Sequence, residues 1–198
     1  KQSKMKKLLT LLLAAFLLTA CNDVKKNDDL KPPMKVELGV NNDDPNAPPP
    51  PPAVIGSAYM EDRSVNPITG GDLNTEQVWL DYVQAHNDKN LEKIAELNHP
   101  EWEGFLPDGR TLKGTDAQME LLKTWFETSN PSWEVQWMIT NDSKNDKGEM
   151  THWLTTGNTY TDTDADGNEV LEHHIHDMEF VDGKIKKINV YSRAKTME

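Results

Sequence analysis

The chain has 198 residues, with 33 acidic against 21 basic side chains and a formal net charge of −12. Its hydrophobic fraction of 36% is low for one compact domain filling the whole length, which points to a folded part smaller than the chain. The single cysteine excludes an internal disulfide framework and a cysteine-based zinc site. The acidity argues against a nucleic-acid partner, because phosphate binding needs Lys and Arg clustered on one face.

Met5, Lys6 and Lys7 precede an uncharged, almost wholly apolar run over 8–20. A basic end before so short a run reads as a secretory signal, since a spanning helix needs about 20 apolar residues. The run ends Leu18-Thr19-Ala20-Cys21, which resembles the lipobox of bacterial lipoproteins. That resemblance implies a signal peptide over 1–20 and cleavage before Cys21 once its sulfur carries a diacylglyceryl group. The mature protein would then sit in the cell envelope, held to a membrane (the outer one, facing periplasm or surface) by palmitate-like acyl chains. An ordinary signal peptide that ends near a cysteine is the alternative.

Residues 21–71 read as a linker. Nine of the twelve prolines lie between 32 and 67, including the unbroken run 48–52, and the rest is rich in Asn, Asp and Lys. Such a stretch buries too little apolar surface to offset its ordering entropy, and its proline run is stiff and extended. It reads as a disordered stalk.

The folded domain is expected over 72–198, which holds all six tryptophans and most of the acidity. A first helix over 75–87 follows from Trp79, Tyr82, Val83 and His86 at i, i+3, i+4 and i+7. Leu91, Ile94, Ala95 and Leu97 mark a shorter second helix, stopped by Pro100. A strand over 101–106 and the turn Pro107-Asp108-Gly109 come next. Thr115-Asp116-Ala117-Gln118 has the form of a capping box opening a third helix. Its buried face is Met119, Leu122 and Phe126, with Leu121 and Trp125. The period then falls to two, giving strands over 133–139, 150–161, 170–181 and 184–192, the last two joined by Asp182-Gly183. Helices followed by an antiparallel meander make an α+β fold.

Three segments carry a family resemblance. Residues 82–97 (YVQAHNDKNLEKIAEL) resemble the paired opening helices of the SnoaL-like branch of the NTF2-like superfamily. Residues 109–114 resemble its turn into the third helix, and 180–185 (FVDGKI) its closing hairpin. The resemblance implies a cone: a curved antiparallel sheet wrapped around three N-terminal helices, with a pocket at the open end, and often a homodimer through the sheet.

Candidate chemistry centres on Glu172-His173-His174-Ile175-His176-Asp177. Alternation puts His174 and His176 on one face with Met178 and Phe180, so both histidines are expected inside the cone. His176 stands where acid–base members of the family carry an Asp, and an imidazole also exchanges protons near neutral pH. Tyr82 and His86 share a helix face with Trp79 and are candidates to polarise a substrate. Trp79, Trp102, Trp125 and Trp153 are candidates to line a ligand pocket, although core packing accounts for tryptophans equally well. The histidines are equally open to a structural role.

No metal site and no cofactor are expected. Two in-line histidines would need a third ligand, and no phosphate loop or cofactor fingerprint occurs. Asp162-Thr163-Asp164-Ala165-Asp166-Gly167 copies half a calcium loop, yet position 12 is His173 rather than Glu. A solvated hairpin tip accounts for the same residues. The leading functional expectation is a membrane-anchored module binding a small, partly apolar ligand or a partner. The alternative is a proton-transfer enzyme (isomerase, cyclase or dehydratase type) with His176 as base.

Overall fold

A computed structural model of the chain describes residues 50–163 and 167–194. The signal segment, Cys21, most of the stalk and the tip of the Asp-rich turn lie outside the described residues. The elements run β1 (Val54–Tyr59), β2 (Val65–Gly70), α1 (Asn74–Asn87), α2 (Leu91–Leu97), β3 (Asn98–Phe105), β4 (Thr111–Lys113), α3 (Thr115–Thr128), β5 (Ser132–Lys144), β6 (Met150–Thr163), β7 (Glu169–Val181) and β8 (Lys184–Ala194). One curved, unclosed eight-stranded sheet in the order β1-β2-β5-β6-β7-β8-β3-β4 packs one face against the three helices. This is the expected α+β architecture.

The break between α1 and α2 has a definite job. Lys89 takes a left-handed conformation, φ 55°, and its ammonium donates to the carbonyls of Phe126 and Ser129, both at 3.1 Å. These carbonyls end α3, where a cation is favoured by unpaired C=O groups and by the helix dipole. Asn90 then caps α2, its side chain accepting from the Lys93 amide at 3.0 Å. Asn87 pairs with the backbone of Trp133 in both directions, each at 2.9 Å. One polar break thus anchors both α3 and the start of β5.

The sheet's inner face buries Leu154, Met178, Phe180, Ile185 and Ile188 against Trp79, Val83, Ile94 and Leu122. The β7–β8 hairpin turns through Asp182 and Gly183, both at positive φ, as the two-residue loop requires. On the outer face, the Trp137 ring lies across the bare backbone of Gly157, where any Cβ would collide with it.

Four sequence expectations change. The ordered structure starts earlier than residue 72: the segment 54–70, read as stalk, is a hairpin whose β2 joins β5 through Thr69 and Gly70. Proline density in 48–52 masked the VIGSAY and VNPITG runs, which are apolar and β-branched enough for strands. Residues 111–113, read as part of a turn, form β4 against β3. The sheet is not wholly antiparallel, since β3 runs parallel to β8. The capping box does not form. Gln118 turns inward, the α3 N-cap is Gly114 without a side-chain cap, and burial gives the glutamine amide better partners than the helix end.

Candidate functional site

Between the inner face of the sheet and α1 and α3 lies a cavity of about 630 Å³, lined chiefly by aromatic and aliphatic side chains. Three transverse registers fix its polar groups. Trp133, Tyr160 and Glu172 are direct cross-strand partners on β5, β6 and β7. Asn158 lies opposite His174, and Thr156 opposite His176. Tyr82 and His86 enter from α1, Gln118 and Trp125 from α3, and Trp102 from β3.

Hydrogen bonds set the protonation of each imidazole. The Trp133 indole N–H donates to His174 Nδ1 at 3.2 Å, and Glu172 Oε2 lies 2.8 Å from His174 Nε2. Nδ1 is therefore an acceptor and Nε2–H the donor: His174 is neutral, with both nitrogens engaged. Burial holds its pKa below the usual imidazole value, although the Glu172 hydrogen bond and charge work the other way. Its ring stacks on Tyr160, with centroids 4.5 Å apart and planes 12° apart. The Tyr160 hydroxyl donates to Asp162 at 2.7 Å.

His176 lies deeper. The Asn158 amide nitrogen contacts its Nδ1 at 3.0 Å; an amide NH₂ only donates, so the imidazole proton sits on Nε2. Burial first, then the neighbouring His174 and His86, push its pKa down to about 3. Asn158 Oδ1 is buried without a partner. His86 donates from Nδ1 to the Tyr82 carbonyl at 2.8 Å, and burial takes it down to about 4 despite that bond. Its Nε2 lone pair is left as an acceptor. Tyr82 Oη accepts from Gln118 Nε2 at 2.6 Å, and Gln118 Oε1 accepts from Asn98 at 2.6 Å. The phenol proton is thereby left to point elsewhere, while burial keeps the phenol protonated.

At neutral pH this end of the cavity therefore carries neutral groups that can hydrogen-bond a ligand: the Tyr82 hydroxyl, His176 Nε2–H and His86 Nε2. Charge is confined to Glu172 and to the rim, where Arg110 and Asp108 pair at 2.6 Å.

The structure brings together Tyr82, His86, Trp102, Trp125, His174 and His176 around the cavity. It does not bring Trp79 or Trp153. Trp79 is 3% exposed and packs on His176 with ring centroids 5.0 Å apart, inside the core behind the cavity wall. Trp153 lies on the outer face of the sheet under Lys187, 5.8 Å from its ring, because alternation along β6 turns odd-numbered residues outward. Among the described residues, no group of three His, Cys, Asp or Glu is placed to hold a metal, and no helix is long and apolar enough to cross a membrane.

No family model matches the sequence, and no curated protein matches it. Solved structures do match. An NTF2-like protein of unknown function from Burkholderia pseudomallei K96243 superposes with TM-score 0.52 at 15% identity, over 62% of this chain and 92% of that one. The fold is the NTF2-like cone. TerC, co-crystallized with polyporic acid, matches with TM-score 0.50 at 16% identity, over 61% of this chain and 92% of the other. An LEH-like epoxide hydrolase from M. tuberculosis follows at 0.49 and 12%, over 61% and 83%.

Within this cone the residues that sequence reasoning missed are Trp133, Tyr160 and Gln118, while Glu172 belonged to the candidate run without a role of its own. Tyr160 and Asn158 sit in the run TTGNTY, where inward positions are polar and apolar alternation disappears. Gln118 was absorbed into a helix-start pattern. The usable signal was register. Once β6 is paired with β7 through the Asp-rich turn, Tyr160 falls opposite Glu172 and inherits the face of His174.

Proposed function

We propose that the NTF2-like domain binds a small, predominantly apolar organic molecule inside the cone. The observation that carries this reading is the cavity itself. About 630 Å³ falls within the roughly 300–1,000 Å³ of small-molecule sites, and apolar walls with few convergent polar groups are their usual lining. Tyr82, His86 and His176 would orient one polar group of the ligand, while Trp102, Trp125 and Trp133 cover its apolar body. Binding of the neutral dye N-phenyl-1-naphthylamine, read by its emission and by quenching of tryptophan fluorescence, tests this. Saturable binding that Val190→Trp abolishes is expected; absence of binding overturns the reading.

Proton-transfer chemistry with His176 as base is the second reading, supported by the convergence of His176, Tyr82 and His86 on one cavity. Binding stands ahead of it on basicity. An imidazole held at about pKa 3 is a weak proton acceptor at neutral pH and better suited to donate a hydrogen bond. Solvent-deuterium exchange into the α-position of a bound ketone, lost in His176→Gln, would reverse that order.

We also propose that the mature chain is lipid-anchored through Cys21 in the cell envelope, on the strength of the sequence resemblance above. Cys21→Ser should move the protein from the membrane to the soluble fraction; unchanged membrane association sinks the anchor.

A further inference from the structure

We propose that the ligand carries an organic cation, a protonated amine or a quaternary ammonium, seated against Trp125, Trp133 and Tyr160 beside the Glu172 carboxylate. This names the ligand class for the cavity and rests on the binding reading above.

The first observation is an unbalanced charge. Glu172 lines the cavity, and its partner there is His174, which donates Nε2–H as a neutral imidazole. Arg110 is the cation of the cavity wall, and it is held at the rim by Asp108. Among the described residues, no protein cation pairs with Glu172. A carboxylate in the wall of an otherwise apolar-lined cavity attracts a positive ligand.

The second observation is independent: the rings beside that carboxylate form a wedge. Trp125 and Trp133 meet at 87° with centroids 5.6 Å apart, and Trp133 and Tyr160 at 47° with centroids 5.1 Å apart. Trp125 and Tyr160 close the set at 6.3 Å. At these spacings the three rings pack on one another, and the faces they turn toward the cavity attract a cation through their ring quadrupoles, Trp most strongly, within about 6 Å of a centroid. Tyr160 and Glu172 are direct cross-strand partners, so carboxylate and wedge share one row of the sheet. The wedge is fixed in place by the Trp133–His174 and Tyr160–Asp162 hydrogen bonds.

The test compares choline with its neutral carbon isostere, 3,3-dimethylbutan-1-ol, on the same chain used for the dye. Both are titrated by NMR on the tryptophan indole N–H resonances. Choline is expected to bind about tenfold more tightly than the isostere. Glu172→Gln should cut that ratio to about twofold, and Trp125→Leu should lower choline affinity more than isostere affinity. Equal affinity for the two probes, tighter binding of the neutral one, or no choline binding overturns the proposal. The dye separates the two claims. If it binds and the cation preference is absent, the pocket reading stands and the ligand class falls; if the dye also fails, the pocket reading falls first.

Discussion

The two halves of β7 lie in one strand, on one face, under the same helices, and yet they differ in kind. Met178 and Phe180, at the closed end, sit with Leu154, Ile94 and Ile185 in the hydrophobic core. Glu172 and His174, at the open end, keep a carboxylate, a neutral imidazole and an indole N–H in one hydrogen-bonded chain. Alternation decides which face a residue takes, but distance along the strand decides what that face has to do. Where helices close over the sheet, side chains are chosen for volume. Where the helices stand away, the same register supplies polar groups to a cavity.

Deleting volume is the strongest way to break this contrast. Leu154→Ala, at a site with no exposure, should cost about 2–5 kcal/mol in urea denaturation. Val190→Ala, on the cavity wall, should cost about 1 kcal/mol, since its methyl groups already border empty space. Equal losses would show that the two ends are packed alike.

Acid comes next. Below about pH 6.5 the unfolded chain protonates His86 and His176, whereas the folded chain keeps them neutral to about 4 and about 3. The unfolded state thus binds more protons in that window. Stability is complete above pH 6.5 and falls with pH, by about 1 kcal/mol per pH unit for each histidine. Urea midpoints at pH 7, 6 and 5 check the slope, and His176→Gln should flatten it; an unchanged slope in that variant would remove His176 from the account.

A smaller effect is expected at the junction between the two regions. Gln118→Ala strips the Tyr82 hydroxyl and Asn98 of a buried partner and should cost about 1–3 kcal/mol. Gln118→Glu, which keeps the acceptor and loses the donor, would show which bond matters more. Smallest of all, Val190→Trp should leave the unfolding free energy from urea denaturation within about 1 kcal/mol of the parent while abolishing dye binding. A large loss of stability there would mean the cavity is not room available to a side chain.

The contrast also explains what the sequence could disclose. Helical period located α1, α2 and α3, because Trp79, Tyr82, Val83 and Leu122 repeat as a buried stripe must; the cap expected for α3 did not form. The inward placement of His174 and His176 followed from Met178 and Phe180, whose purpose is plain burial. The open end was harder to read for the converse reason. Thr156, Asn158 and Tyr160 face inward without being apolar, so no periodicity marks them, and only cross-strand pairing assigns their side. The hairpin Val54–Gly70 was hidden by the prolines before it. Trp79 and Trp153 were misplaced as ligand contacts because a tryptophan's identity says neither that Trp79 packs in the core behind the wall nor that Trp153 lies on the outer face of the sheet.

That N-terminal hairpin also determines how the domain answers a mechanical load. Chain leaving β1 toward the N-terminus departs beside Thr69, the register partner of Val54, and β2 grips β5 through only two residue pairs. A pull from that side opens the hairpin from its base, one cross-strand pair at a time, rather than shearing all its bonds together. The load would be spent on an edge ribbon that contributes nothing to the cavity wall. Were the N-terminus lipidated as proposed above, this hairpin would be a short extensible leash; with or without the lipid, single-molecule pulling should find a low-force extension before the cooperative rupture of the cone.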